Sequence, residues 1–363
     1  GQVLPILGRR FALDDLRLGY FFQAQFAGSL AGTFVSGWFG RRGRLADSAW
    51  IGGTMMAAGI LAMNADSYAV VLAAFLLNGI GIGMTLPSIN LIILELNPQR
   101  SAAALSVLNF CWGVGAIVCK PFVDLTAGET SISTTSLIFT TSLGLLAALV
   151  FACRKNAHPE VTETVSELVS PDVPIWTTSV AWAIAAFNFI HVGFESGMGG
   201  WLTTYAARLE GSAHVGIFSP TFLFFLCFVI GRAIAPVFFR FLDENKMLLG
   251  SLFTMLIGMA IAITAKDLLI LSVGSAMAGL GTSSVFPTNV SRFYRLFGSK
   301  AMSRATPLFL CGTLGGAAAT YSIGYLSDRF LDLRIGMFVL LFNVAALIAI
   351  QIVLTFGSRF RRT

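Results

Sequence analysis

Charge is what this sequence has least of. Only 12% of its 363 residues are Asp, Glu, Lys or Arg, about half of the roughly 25% found in soluble domains. Several functional signatures are missing too. There is no G-x4-G-K-[ST] loop, which argues against ATP drive. There is no HExxH, and no serine–histidine pair stands at a recognisable spacing, so intramembrane enzyme chemistry has no support. The five cysteines (Cys111, Cys119, Cys153, Cys227, Cys311) lack zinc-type spacing. They lie in or beside apolar runs, where they read as small packing residues. No basic arm accompanies the pI near 9.3, so the positive charge does not indicate nucleic acid. Neither a cofactor nor a metal is implied.

What the chain has is apolar length. It is 56% hydrophobic with a mean hydropathy of +0.79. Residues 67–94 hold no charged side chain and residues 209–231 hold one Glu. About 20 apolar residues cross the hydrocarbon core of a bilayer as a helix, so the expected fold is all-α and integral to a membrane. Eleven spans are predicted, at 18–40, 45–64, 67–94, 101–123, 132–153, 175–206, 216–239, 247–265, 268–291, 304–326 and 335–356. One connection, residues 154–174, is long, polar and rich in Glu and Pro. It reads as a linker between an N-terminal half, 1–153, and a C-terminal half, 175–363.

The halves share an internal repeat. GIGIGMTLPSIN (79–90) and GLGTSSVFPTNV (279–290) both read G-x-G-x5-P at an offset of 200. The following span keeps that offset, with Cys111 over Cys311 and Gly115 over Gly315. Extended backwards, the register pairs the helix at 175–206 with a partner of which only GQVLPI is present, and the chain opens on Gly. The expectation is therefore two six-helix halves with the first helix missing from this chain. A genuine eleven-span chain is the alternative. With the linker placed in the cytoplasm, fifteen Lys and Arg fall inside and seven outside, as the positive-inside rule requires. That places the C-terminus in the cytoplasm as well. The membrane would be the plasma or inner membrane.

Two parallel six-helix halves joined by a cytoplasmic linker resemble the major facilitator superfamily. SGWFGRRGR (36–44) looks like a shortened form of that family's loop signature, without the usual Asp before the Arg pair, and GRAIAPVFFR (231–240) occupies the matching place in the second half. A narrower resemblance follows from GIGMTLPSIN, LNFCWGVGAI, FIHVGFESGMGGWLTTY and VFPTNVSRFYRLFG. These are similar to the fucose–proton symporter branch and its related glucose transporters. The branch's aromatic-x-V-G-x-E, its following Trp and its Asn on the fourth family helix are matched by His191 to Glu195, by Trp201 and by Asn90. Leu86 stands where the fucose symporter has a carboxylate, so proton coupling is not implied.

Residues 187–208, FNFIHVGFESGMGGWLTTYAAR, put ionisable groups inside an apolar run. Such groups cost about 2.5–3.5 kcal/mol on insertion scales and face a cavity or a partner. Asn188, His191 and Glu195 follow i, i+3, i+7 spacing and share one helical face. Gly197, Gly199 and Gly200 are expected to weaken the helix beyond them, and carriers bind substrate at discontinuous helices. Trp201 would offer a flat apolar face to the C–H surface of a sugar, with Asn, His and Glu for its hydroxyls. The alternative is a polar cluster locked by packing. Asn90 and Asn289 end the two helices that the family's fold places at the cavity. Each follows a Pro, so each could instead satisfy a freed carbonyl. Asn109 and Trp112, one turn apart, are sugar ligands or interhelical contacts. Glu195 and His191 are coupling candidates. Gly197 and Gly199 are gating candidates, and Arg232 is expected to brace the cytoplasmic gate. Lys120 and Asp124, at i, i+4, are expected to pair.

The function expected is movement of a neutral sugar, a hexose such as glucose or fucose, by alternating access. The coupling ion would be H+ or Na+, and the protein would work as a monomer. A multidrug antiporter of the same fold and a sugar sensor that moves nothing are the alternatives.

Overall fold

A computed structural model describes residues 1–40, 42–96, 101–154, 175–210, 219–238, 244–297 and 306–357. Among them are thirteen α-helices, one 3-10 turn and no strand. The helices are α1 (Leu4–Phe11), α2 (Asp15–Gly40), α3 (Leu45–Ala62), α4 (Tyr68–Leu96), α5 (Ser101–Thr126), α6 (Ser133–Cys153), α7 (Ser179–Glu210), α8 (Pro220–Phe238), α9 (Glu244–Thr264), α10 (Leu268–Thr282), α11 (Val285–Phe297), α12 (Thr306–Phe330) and α13 (Leu333–Gly357). A helix satisfies every backbone group within itself, which is what lipid demands of an apolar run.

Among the described residues, six segments are long and apolar enough on their own to cross a membrane: α3, most of α4, α6, α9, most of α13, and α10 together with the start of α11. The other long helices are α2 and α5 (26 residues each), α7 (32) and α12 (25). At 1.5 Å per residue each exceeds the roughly 30 Å hydrocarbon core. Their polar side chains lower their hydropathy.

The predicted span 268–291 is matched by the apolar stretch Leu268–Val290, within which α10 and α11 meet at a turn, Ser283–Ser284. One expectation about helix continuity is corrected: α7 runs unbroken through Gly197, Gly199 and Gly200. Packing is the reason. A Cβ on Gly197 would lie 2.5 Å from Leu340 Cδ2 and 3.0 Å from Ile323 Cδ1, so α12 and α13 press on the helix where its own side chains are missing.

The chain divides into two compact units. One comprises Tyr20–Trp112 and Thr126–Val173; the other comprises Gly1–Gly19, Gly113–Leu125 and Pro174–Thr363. This differs from a cut at the predicted linker, most of which (155–174) lies outside the described residues. Residues 1–19 group with the C-terminal residues because Asp15 bonds Arg208 and Gly19 lies beside Trp201. Residues 113–125 do so because Gly113 abuts Val229.

The repeat is legible inside each unit. In the first, a Cβ on Gly79 would lie 2.1 Å from Gln25 O, and one on Gly81 2.5 Å from Gly52 O. In the second, a Cβ on Gly279 would lie 2.1 Å from Phe224 O, and one on Gly281 2.4 Å from Met255 N. Each Gly-x-Gly pair thus lets two neighbouring helices approach backbone to backbone, at equivalent places. The shortened loop signature has its own acid: Arg44 Nε pairs with Asp47 Oδ2 at 2.6 Å, and Arg42 stacks on Trp38 at 3.6 Å. Arg41 lies outside the described residues.

Candidate functional site

The polar face of α7 is built by close helix packing. A Cβ on Gly315 would lie 1.9 Å from Phe189 O, and one on Gly312 2.8 Å from Asn188 Nδ2, so α12 lies directly on α7. That brings the Leu308 carbonyl to Asn188, whose Nδ2 donates to it at 2.9 Å. One turn along, His191 Nε2 meets Thr282 Oγ1 at 2.9 Å, and its ring lies 6.5 Å from that of Phe286. Asn289 Nδ2 donates to Ile184 O at 3.2 Å, one turn before Asn188. All three side chains are buried.

Each of the three has one atom left over. Asn188 Oδ1, His191 Nδ1 and Asn289 Oδ1 are buried and have no hydrogen-bond partner among the described residues. A buried polar group left unpaired costs about 1–3 kcal/mol. Three along one stretch of α7 and its neighbour form a set of groups suited to hydroxyls. Either tautomer of His191 leaves Nδ1 able to bond a hydroxyl, which both donates and accepts.

Glu195 lies one turn beyond His191 and is half-buried. Arg232, on α8, is near enough for its charge to act on both Glu195 and His191. Its guanidinium sits 4.0 Å over the Phe228 ring, and its Nε donates to Ser283 O at 3.3 Å. It therefore belongs to this cluster. The structure thus joins Asn188, His191, Glu195, Asn289 and Arg232 within one unit.

Other expected site residues fall elsewhere. Trp201 is completely buried, with Nε1 donating to Thr320 O at 3.1 Å and its ring against Gly19 and Gly324. It presents no open face, and packing accounts for its place. Gly197 and Gly199 sit in continuous helix. Asn90 lies in the other unit and turns Nδ2 back onto Leu86 O at 2.8 Å. Neither Asn90 nor Asn289 bonds the carbonyl four residues before its Pro. Trp112, in the same unit as Asn90, is 45% exposed. Asn109 lies on α5, with its side chain outside the description. Lys120 and Asp124 form the expected ion pair, with the lysine buried and the aspartate partly so.

Sequence reading missed Thr282 and Ser283, although three successive hydroxyl residues before V-F-P were a visible signal. It also missed Asp15. This carboxylate is buried at 5% exposure, accepts from Arg208 Nη1 at 2.7 Å, and is bonded by Ser327 Oγ. No group of three or more His, Cys, Asp or Glu able to hold a metal occurs among the described residues.

Three comparisons bear on this arrangement. The sequence model of the Major Facilitator Superfamily matches residues 1–320. A curated relative, sodium-dependent glucose transporter 1 of Xenopus laevis, is 24% identical over 315 residues, covering 78% of this chain and 63% of its own length. Among solved structures, the nucleoside transporter NupG aligns at a TM-score of 0.72 with 13% identity, over 99% of this chain and 94% of its own. A D-xylose–proton symporter aligns at 0.70 with 14% identity, over 95% and 91%. FucP, in the outward conformation, aligns at 0.62 with 17% identity, over 96% and 92%. These structural likenesses establish the fold.

Proposed function

Because the chain belongs to the major facilitator superfamily, we propose that it moves a neutral, hydroxyl-rich solute, a hexose, across the membrane by alternating access. The observation that carries this reading is the trio of unpartnered buried atoms, Asn188 Oδ1, His191 Nδ1 and Asn289 Oδ1. They stand beside two groups of opposite charge, Glu195 and Arg232. Spare hydrogen-bonding atoms favour a ligand made of hydroxyls. Glu195 accepts from the sugar, and Asn188, His191 and Asn289 fix its orientation. Asn90, Asn109 and Trp112 are proposed as further sugar ligands from their residue types alone.

The name of the curated relative supports both a sugar and a sodium ion as the coupled species; a proton is the rival ion. The carrier works as a monomer in the plasma or inner membrane, with the 154–174 segment and the C-terminus in the cytoplasm.

The test is uptake of labelled hexoses by purified protein in liposomes, under imposed Na+ and H+ gradients in turn. Saturable uptake with counterflow exchange is expected. Binding without exchange would make the protein a sensor. Absence of both, across a hexose panel, would overturn the sugar reading.

A further inference from the structure

The break between α10 and α11 lies just before a proline, Pro287. In an α-helix the N–H of residue i bonds the carbonyl of residue i−4, and proline has no N–H. Pro287 therefore leaves the Ser283 carbonyl without its helical donor. The next register is intact, since Thr288 N bonds Ser284 O at 3.2 Å. Ser283 cannot help itself, because its hydroxyl is donated to Leu280 O at 2.6 Å. A carbonyl stranded in a lipid-embedded helix is costly and must find a donor. The donor here is Arg232 Nε, at 3.3 Å. The approach depends on Gly231, since a Cβ there would lie 2.3 Å from Ser283 Oγ.

The capped residue is next to one that matters. Thr282 bonds His191, and His191 carries one of the three unpartnered atoms. We propose that Arg232 is a positioning residue: it caps the carbonyl stranded by Pro287 and so holds Thr282, and through it the His191 ring, in the orientation that binds substrate. The guanidinium suits this task. It stays charged, is planar, and can stack on Phe228 while directing one N–H to the carbonyl. The consequence for transport rests on the sugar reading above; the capping of Ser283 does not.

Suppression tests it. Pro287→Ala restores the missing N–H and should make the arginine dispensable. Arg232→Met keeps length and removes every donor. In that single variant, amide exchange in the peptide spanning residues 283–290 should quicken about tenfold, as for one lost hydrogen bond. The KM for sugar should rise about fivefold or more with maximal rate little changed, as for lost ground-state binding. Adding Pro287→Ala should return both quantities to within about twofold of the parent. A counter-charge role predicts another suppressor, Glu195→Gln. Rescue by Glu195→Gln and not by Pro287→Ala overturns the proposal, as does unchanged exchange in Arg232→Met. If Arg232→Met alone does not accumulate, it is introduced into the Pro287→Ala background. Tolerance there supports the proposal, and failure there overturns it. Exchange is measured without sugar. A suppressed exchange phenotype in a protein that moves no hexose would therefore retain the cap and discard the substrate.

Discussion

Glu195 carries two separable expectations, and one substitution divides them. As a sugar ligand its carboxylate accepts hydroxyl protons, and Glu195→Gln keeps the shape and one acceptor. Affinity should then fall by about 1–2 kcal/mol, with net uptake and exchange falling together. As an ion-coupling group it would leave exchange intact and abolish gradient-driven accumulation. The first outcome is expected, because the side chain lies on the same α7 face as Asn188 and His191 and within reach of the Arg232 charge. Trp201 provides the opposite control. Its indole is fully buried and its N–H is donated to Thr320 O. Trp201→Phe should therefore cost about 1–2 kcal/mol of stability, measured by thermal unfolding, and leave sugar affinity unchanged. Lost affinity at unchanged stability would return it to the ligands.

At the scale of the element, glycines decide how near two helices come. The repeat sets Gly115 over Gly315, yet their surroundings differ. A Cβ on Gly315 would lie 1.9 Å from the Phe189 carbonyl oxygen, whereas nothing lies within 4 Å of one on Gly115 among the described residues. Backbone cannot step aside as a flexible side chain can. Gly315→Ala should therefore push α12 off α7, costing about 1–3 kcal/mol and disturbing the Asn188–Leu308 bond. Gly115→Ala should be tolerated, or stabilise by up to about 1 kcal/mol through helix propensity. Melting temperatures of the two variants, side by side, check the asymmetry. The same reasoning explains α7 and α10. A glycine, Gly197, filled from outside by Leu340 and Ile323 leaves its helix whole. A proline whose stranded carbonyl finds an arginine permits a break.

Across the whole molecule, one contact joins residues far apart in sequence. Asp15, in the first turn of α2, is bonded by Arg208 and Ser327, which lie 193 and 312 residues away. Arg208→Gln should leave the buried carboxylate with weaker partners and cost about 1–3 kcal/mol, less than for a fully buried pair because the arginine is 44% exposed. Exchanging the two charges should recover part of that loss, read as melting temperature. Periodic and local features were open to sequence reading. Apolar length set the helices, because lipid leaves the backbone no other partner. The offset of 200 gave the repeat, and i, i+4 spacing gave the Lys120–Asp124 pair. Asn188, His191 and Glu195 shared a face by helical period alone. What only the tertiary structure decided were the meetings of distant segments: Arg232 with Ser283, Asp15 with Arg208, and Trp201 with Thr320. It also decided which segments group into a compact unit. The reason is physical. Helical period fixes which residues share a side of one helix. Which carbonyl, ring or glycine faces them depends on how neighbouring helices pack, and that depends on side chains hundreds of residues away.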